Sequence, residues 1–401
     1  HNNNVSLGFS GNPDMDINFL MAGLNQIGDM MRSGDPAMMA AAGQAYLAYP
    51  TKVTLRSPGK SAEWEPEDGG QYGLRLSWYL PELNDTELSL YYMNYHSRRP
   101  IFAGQTADFT AESLGHDVTY LAMNPNVTEQ DIYDNLSSFS QVKLQYPEDI
   151  KLYGLSFNTT VGTTALAGEV SYRQDEPLQI DDVELLFAAM PQQLANGGLR
   201  PDLDGISQLN GPDGQPLGPG VTADGYILSD TVQAQMTLTH LWGPSFGASQ
   251  LVTLLEVGGI NINDIPEQSE LRLNGPGTDR NGGIASAPGL EIPIQNGIET
   301  NPFPTEFAWG YRAIAKLDFN NVIAGINVSP RVVFSHDVKG TTPDPLFLFI
   351  EDRKSVAFGL SFDYQSRWSA DLSYNGFWDG VGTTNKMEDR DYISFSIKYS
   401  I

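Results

Sequence analysis

Every second residue from Ile393 to Ile401 is apolar: Ile393, Phe395, Ile397, Tyr399 and Ile401 are separated by Ser394, Ser396, Lys398 and Ser400. A period of two sends successive side chains to opposite faces of an extended strand, so this segment reads as a β-strand with one apolar and one polar face. The pattern precedes it twice more. Trp368, Ala370, Leu372 and Tyr374 alternate with Ser369, Asp371, Ser373 and Asn375, and Val356, Phe358, Leu360, Phe362 and Tyr364 alternate with Ser355, Gly359, Ser361 and Asp363. Upstream, 322–336 places Val322, Ala324, Ile326, Val328, Val332 and Phe334 on one face, and 307–319 does the same with Phe307, Trp309, Tyr311, Ala313, Ala315, Leu317 and Phe319. Further strands are expected over 71–80, 86–97, 150–160, 164–174, 226–242 and 249–262, the last alternating least cleanly. The total is eleven.

The connections carry a second signal. Short ones (81–85, 161–163, 243–248, 320–321, 366–367) alternate with long ones near 98–149, 175–225, 263–306 and 337–352. A soluble β-sandwich also alternates along its strands but has no need of this asymmetry, whereas outer-membrane barrels join tight periplasmic turns to long extracellular loops. The expected fold class is therefore all-β: a transmembrane antiparallel outer-membrane β-barrel with about 11 strands in this chain, about 14 when complete, and short helices in its extracellular loops. In this register the C-terminus lies in the periplasm. Residues 1–67 are expected as an extracellular segment and 68–401 as barrel strands with their loops. An odd strand number does not close alone, so strands from an N-terminal part or a companion fragment are expected to complete it.

Composition narrows the function. The chain has 49 acidic and 23 basic residues, a formal net charge of −26 and no Cys. Such a charge argues against nucleic acid, whose phosphates need a Lys/Arg surface, and the missing Cys removes disulfides, thiol catalysis and Cys-based zinc sites. No run of about 18 apolar residues exists, so no membrane helix is present. A barrel escapes that test because only alternate residues face lipid. The chain opens abruptly on His1-Asn2-Asn3-Asn4 without a signal peptide, as expected of a mature or truncated product.

Several segments together are distinctive: Asp68-Gly69-Gly70-Gln71-Tyr72-Gly73, Pro81-Glu82-Leu83-Asn84-Asp85-Thr86-Glu87, Asn94-Tyr95-His96-Ser97-Arg98, Tyr146-Pro147-Glu148-Asp149, Gly168-Glu169-Val170-Ser171-Tyr172-Arg173, Gln179-Ile180-Asp181-Asp182, Asn274-Gly275-Pro276-Gly277-Thr278-Asp279 and Phe334-Ser335-His336-Asp337. From about residue 68 to the end the chain resembles the proteobacterial outer-membrane family called domain of unknown function 1302. Members commonly end on Phe, where this chain has Ile401, and the Met-rich region around 14–47 does not match the expected family pattern. By its similarity to alkane-uptake proteins and fatty-acid transporters of the FadL type, the family implies passage of hydrophobic compounds.

If the apolar face meets lipid, Trp78, Trp309, Trp368, Tyr374 and Tyr399 belong to the apolar band and its aromatic girdles. The other face then turns Arg75, Glu169, Arg173, Arg312, Lys316, Asp318 and Arg331 toward the lumen, together with Glu87, Asp363, Asp371 and Lys398. Mixed signs favour cross-strand pairs that fill the interior. Arg312, Lys316 and Arg331 are the candidates for an anionic head group, Arg presenting a carboxylate-matched fork. The loops are unexpectedly apolar. Phe19, Leu20, Met21, Leu24, Met30 and Met31 fall at helical spacing within a helix expected over about 14–32, with a second near 36–47, and Leu186, Phe187, Met190, Phe347 and Phe349 lie in loops. They read either as a cap packed over the barrel mouth or as a capture surface for a hydrophobic ligand.

Enzyme motifs are poor. Gly243-Pro244-Ser245-Phe246-Gly247 has the spacing of a nucleophile elbow but falls in a short turn, without the helix that motif needs. His1, His96, His116, His240 and His336 show no metal-ligand spacing, and Asp202, Asp204, Asp213, Asp224 and Asp181-Asp182 read as solvated acidic loops more readily than as a calcium site. No catalytic residue, metal or cofactor is expected. The expected activity is a passive outer-membrane channel for alkane, fatty-acid or lipid-like molecules, the alternative a non-transporting envelope protein that binds an assembly partner. Expected partners are outer-membrane lipid and lipopolysaccharide, a hydrophobic small molecule, and an N-terminal fragment or a periplasmic or envelope protein.

Overall fold

In a computed structural model of the chain, residues 17–47, 53–55, 63–278, 303–382 and 384–400 are described, the side chains of residues 17–19 and 53–55 excepted. The His1–Asn4 opening, the side chain of Phe19, positions 279–302 of the third long connection, and Ile401 lie outside the described residues. In chain order the elements are α1 (Ile17–Arg32), α2 (Pro36–Leu47), β1 (Val53–Leu55), β2 (Glu63–Trp64), β3 (Tyr72–Leu80), β4 (Thr86–Tyr95), β5 (Ile101–Gln105), α3 (Ala111–Met123), α4 (Glu129–Asn135), β6 (Ser140–Gln145), β7 (Ile150–Val161) and β8 (Thr164–Gln179). They continue with α5 (Asp182–Ala189), α6 (Pro191–Asn196), β9 (Thr222–Ala223), β10 (Tyr226–Ser245), β11 (Ala248–Ile262), β12 (Phe307–Ile323), β13 (Ile326–Lys339), β14 (Lys354–Tyr364), β15 (Trp368–Trp378) and β16 (Tyr392–Tyr399). No described helix is long and apolar enough to cross a membrane.

The eleven long strands form one antiparallel sheet in the order β3-β4-β7-β8-β10-β11-β12-β13-β14-β15-β16, each beside its neighbour in the strand series. The sheet is not closed: β3 and β16 border it, each paired on one side among the described residues. Tight turns explain the meander. Asn84-Asp85, Phe246-Gly247, Ala324-Gly325 and Gln365-Ser366 each hold two consecutive positive φ angles, the geometry that matches a hairpin turn to right-handed strand twist. All long connections leave from the opposite end.

Two boundaries differ from the sequence expectation. The turn expected at 320–321 falls at Ala324-Gly325, because Asn321, at φ 50°, is absorbed as an irregularity inside the β12–β13 pairing. Strand β8 does not stop at 174 but continues to Gln179. Asp175, at φ 61°, lies next to the register shift against β10, and pairing resumes at Glu176 opposite Ser229. A bulge of this kind absorbs an extra residue without ending the strand.

Register makes one face continuous. Leu76, Leu90, Leu155, Val170, Ala234, Gly259 and Trp309 are successive cross-strand partners from β3 to β12. Ala315, Val332, Phe358, Tyr374 and Ile393 carry the same face to β16. Leu76, Leu155, Phe358 and Ile393 on that face are exposed.

The long connections and the N-terminal helices build a cap with its own cores. A small sheet, β1-β6-β5-β9, has β2 also paired to β6, and both β1 and β2 run parallel to β6. Leu20, Leu24, Ile27, Tyr46, Leu121 and Ile132 form one buried cluster between α1, α2, α3 and α4. A Cβ on Gly28 would stand 2.4 Å from the Leu121 carbonyl oxygen, so glycine lets α1 approach the end of α3. There Arg32 Nη1 donates to the Leu121 and Ala122 carbonyls at 2.8 and 3.1 Å, satisfying orphan acceptors of the last turn. In the centre of the cluster the Tyr46 hydroxyl donates to Asp117 Oδ2 at 2.8 Å, and Asp117 also accepts the Ser137 and Ser138 N–H groups.

Gln179, at the end of β8, ties the connections together. Its Oε1 accepts the Phe102 N–H at 2.7 Å, and its Nε2 donates to the carbonyls of Phe102, Ile180 and Gly225. Its main chain donates to Asp344 O and accepts from Asn274 N. One buried residue thus joins all of the first four long connections. Gly225 belongs to the same knot, since a Cβ there would fall 1.4 Å from the Phe102 carbonyl oxygen. Gln179→Ala removes four side-chain hydrogen bonds and strands buried main-chain groups, for an expected loss on the order of 2–4 kcal/mol in the cap. Amides of 101–105 and 222–225 should exchange about a hundredfold faster, with mid-strand amides of β13–β15 unchanged; unaltered exchange at Phe102 would refute this role.

Candidate functional site

The face opposite the apolar one carries the charged residues, interrupted by an apolar row of Leu254, Ile314, Val333 and Ala357. Arg75 lies across from Tyr91, Glu169 between Ser156 and Gln235, Arg173 beside Thr231, Arg312 between Glu256 and Ser335, and Lys316 beside Arg331. All seven charged residues expected on one face therefore share it. Local pairing is extensive. Arg75 Nη2 donates to Glu87 Oε1 at 2.7 Å, Lys316 Nζ lies 2.8 Å from Asp318 Oδ1, and Arg173 Nε lies 3.4 Å from Glu176 Oε2. The three cations nominated for a head group do not converge: Lys316 and Arg331 lie toward the tight turns, and only Arg312 borders a recess.

Two recesses open on this face beneath the connection between β13 and β14. The first, about 770 Å³, lies among the cap-side ends of β3, β4, β7, β8 and β10, with Met93, Tyr95, Ile150 and Arg173 facing Arg98 and Leu346. The second, about 460 Å³, sits where Gly258 and Gly310 are cross-strand partners and leave the sheet bare, with Glu256, Arg312, Phe349 and Phe377 around it. Gln233 and Leu348 border both. The pair makes one stepped groove lined by apolar side chains and by charges that are in part paired, Arg173 with Glu176 and Asp337 with Arg353, which suits an amphipathic ligand better than a fully polar one.

The connection over the groove is held as a firm tongue. Thr342 is buried, and its Oγ1 accepts the N–H groups of Leu348 and Phe349 at 2.8 and 3.0 Å. Asp337 Oδ2 accepts the Ile350 N–H at 3.1 Å and pairs with Arg353 at 2.6 Å. At the tip Arg99 donates to the Pro345 carbonyl, and its guanidinium lies 5.8 Å from the Phe347 ring centre. Leu346, Leu348 and Phe349 pack on Leu178, Ile260, Ile262 and Leu273. That packing explains why 249–262 alternates poorly: the cap-side part of β11 is covered on its inner face as well.

The proposed capture residues are mostly core. Leu20, Leu24, Phe187 and Met190 are buried, Met21, Met30 and Met31 pack at the edge of the helical cluster, and Leu186 packs beside Met190. This corrects the capture-surface reading for them, since apolar side chains at helical spacing cover one another across α1–α4 and around α5. Phe349 is half-buried in the tongue, and among the members whose side chains are described Phe347 alone stands out, 59 % exposed. Asp202 pairs with Arg200, Asp204 accepts from Gln192, Asp213 from the Gln215 N–H and Asp224 from Gln145, so these acids do not gather. Among the described residues no three His, Asp or Glu are placed to hold a metal ion. Ser245 ends β10 and is followed by the Phe246-Gly247 turn into β11, a hairpin rather than a strand-to-helix elbow.

Sequence reasoning gave no structural role to Gln179, Gln233, Arg99 or Leu348, although Gln179 opens one of the segments it singled out. Nothing local distinguishes them, because their roles come from which connections meet over the groove. It also misread the acids at the root of the cap, taking Asp181 for part of a solvated acidic loop where it is fully buried. Glu184 is buried and paired with Arg272. Asp181 caps α5 through Oδ1 to the Val183 N–H at 2.8 Å, and burial, then the neighbouring Asp182 charge, push its carboxyl up to about 7. Burial likewise raises Asp344 to about 6, against the hydrogen bond from Asn274.

Residues 18–401 match the family described as a protein of unknown function, DUF1302. The chain belongs to that family. The match starts in α1, so the Met-rich helices are part of the family's extent and not a foreign segment ahead of residue 68. No curated protein matches the chain.

The raised acids set a pH dependence for the cap. A carboxyl whose folded pKa exceeds its unfolded value of 3.8 favours the folded cap fully below about 4, and that contribution is lost as pH rises through about 7. The cap's melting temperature should fall by several degrees between pH 5 and pH 8 in the natural protein. Asp181→Asn, which keeps the helix cap, should flatten this fall; an unchanged slope in calorimetry would rule the group out.

Proposed function

We propose that the eleven-stranded sheet is the greater part of an outer-membrane β-barrel that passes amphipathic hydrophobic molecules, bound on their way in the groove beneath the tongue. The observation that carries this reading is the register-continuous apolar face across all eleven strands, opposite a face of mixed polarity that carries the charged residues. An exposed apolar sheet face of that breadth needs a hydrocarbon solvent.

Aromatic placement supports it. Tyr72, Tyr92, Tyr153 and Tyr172 stack side by side at the cap end of the apolar face, ring centres 5.9, 5.1 and 6.0 Å apart. Trp78, Trp368 and Tyr399 stand toward the tight turns. Tyr72 and Trp78 are about 20 Å apart along β3 at ~3.3 Å per residue, comparable with an apolar band about 25 Å tall between aromatic girdles. The exposed borders β3 and β16 would have to be paired in a bilayer, where unsatisfied main-chain groups are costly; such pairing belongs to the proposal. The long connections then face outward and the tight turns face the periplasm.

The burial of Leu24 and Phe187 in the cap favours a second reading, a closed envelope protein that moves nothing. Uptake separates the two. Liposomes carrying the protein should take up a long-chain fatty acid or alcohol faster than empty ones, and Leu348→Asp should slow that uptake several-fold by placing a charge between the recesses. Uptake equal to that of empty liposomes would end the transport reading.

The membrane orientation has its own check. Leu372→Arg, on the apolar face of β15, should cost about 2–4 kcal/mol in urea titrations of the liposome-inserted protein. Ser373→Arg, one residue on and facing the other way, should be nearly neutral. Equal costs would contradict a lipid-facing apolar side.

A further inference from the structure

The charges around the groove do not balance. Of the charged side chains bordering its two recesses, Arg173 pairs with Glu176, Arg353 with Asp337, and Lys354 with Asp352 and Asp379. Among the described residues Arg98, Arg99 and Arg312 pair with no acid, and Glu256 pairs with no base. The groove is left with an excess of cations in a chain of net charge −26. Arg98 and Arg99 stand at its mouth, Arg99 already donating to the Pro345 carbonyl. Arg312 stands deeper, beside the bare Gly258-Gly310 step. Its Nε donates to Ser335 Oγ at 3.3 Å, while Glu256, its cross-strand partner, accepts from the Thr237 hydroxyl at 3.3 Å instead. Both Nη groups of Arg312 are without an acceptor among the described residues. Past Arg312 the same face turns apolar at Leu254, Ile314 and Val333, half-exposed cross-strand partners, and cationic again at Lys316 and Arg331. Lys316 is paired with Asp318, and Arg331 with no acid among the described residues. Four residues of β12 separate the two cationic rows, about 13 Å at ~3.3 Å per residue.

We propose that the groove selects amphipathic monocarboxylates, with Arg312 holding the carboxylate beside the Gly258-Gly310 step and the apolar body lying toward the cap among Met93, Leu346 and Leu348. This rests on the reading of the groove as the ligand's path and adds the charge of its head group. A guanidinium with both Nη groups open matches a carboxylate through two parallel N–H···O bonds. A neutral alcohol would leave that fork without its matching anion. A doubly charged phosphate would meet a single open guanidinium, with the Glu256 charge across from it. The next open guanidinium, Arg331, lies beyond the apolar row, so a head group moving to it lays the body over Leu254, Ile314 and Val333. Each seat matches both ends of the ligand, and having two of them lets it leave either one, as passage requires.

Fluorescence titration of the full chain in detergent with 1-pyrenebutyrate and with 1-pyrenebutanol, which share a body and differ in head group, tests this. The natural protein should bind the acid at least tenfold more tightly, as a hydrogen bond to a charged group supplies, and added salt should weaken the acid alone. Arg312→Gln should bring the acid down to the affinity of the alcohol and leave the alcohol unchanged, and Arg312→Lys should keep part of the preference. Lys339→Gln, opposite Trp309 on the other face of the sheet, should change neither. Arg331→Gln should keep the acid's affinity and slow its entry into liposomes several-fold. Equal affinities for acid and alcohol in the natural protein, an unchanged preference in Arg312→Gln, or an equal loss in Lys339→Gln would each overturn the assignment. Unchanged entry in Arg331→Gln would remove the second seat. If Arg312→Gln does not fold, the ratio of acid to alcohol affinity in the natural protein decides. Binding of both probes without preference, weakened by Leu348→Asp, costs only the head-group assignment, whereas failure of both to bind overturns the groove as well.

Discussion

Cross-strand register is the constraint on which everything else in this chain rests. Side chains alternate with a period of two, so a slip of one residue between, say, β14 and β15 would turn Leu372 and Tyr374 to the polar side and bring Asp371 and Ser373 to the apolar one. The hairpin turns hold that register from one end. Asn84-Asp85, Phe246-Gly247, Ala324-Gly325 and Gln365-Ser366 all adopt the paired positive φ angles that join antiparallel strands without splaying them. Phe246, Ala324 and Gln365 are unusual residues for such angles, which indicates that strand pairing imposes the turn there as much as the turn sets the pairing.

At the other end order is imposed differently. The connections are too long to be set by local turns, and they are laced instead by a few buried polar groups. Gln179 joins Phe102, Gly225, Asn274 and Asp344 through side-chain and main-chain bonds, and Thr342 and Asp337 hold the tongue. Buried hydrogen-bonding groups of this kind specify one arrangement because each alternative leaves donors and acceptors unsatisfied. The groove owes its form to this lacing: its floor is sheet and its roof is a loop that has no freedom to fall into it.

Legibility followed the same division. The eleven strands were readable because each alternates over nearly its whole length, and errors arose where another element intrudes. β11 looked irregular because Ile260 and Ile262 meet the cap as Val257 meets the other side of the sheet. β8 looked shorter because its bulge at Asp175 and the following Pro177 resemble a strand end. The helices α1 and α2 were foreseeable from spacing, but whether Leu24 and Met30 faced solvent or one another was not, since an amphipathic helix shows that it has a partner without showing which. The seven charged residues of the polar face were readable from strand phase; that only Arg173 and Arg312 border the groove depends on where the tongue lies.

By itself, the sequence determined the number and order of the long strands, the two faces of the sheet and the end from which the long connections leave. These follow from a period-two pattern and from connection lengths, which are local properties. Only the tertiary structure decided that β1 and β2 run parallel to β6, that Gln179 gathers four connections, that most loop apolar residues are core, and that Gly258 and Gly310 meet at a recess in the sheet. Each of these brings together residues far apart in the chain, and no local pattern encodes which distant partner a hydrogen-bonding group or a bare glycine will meet.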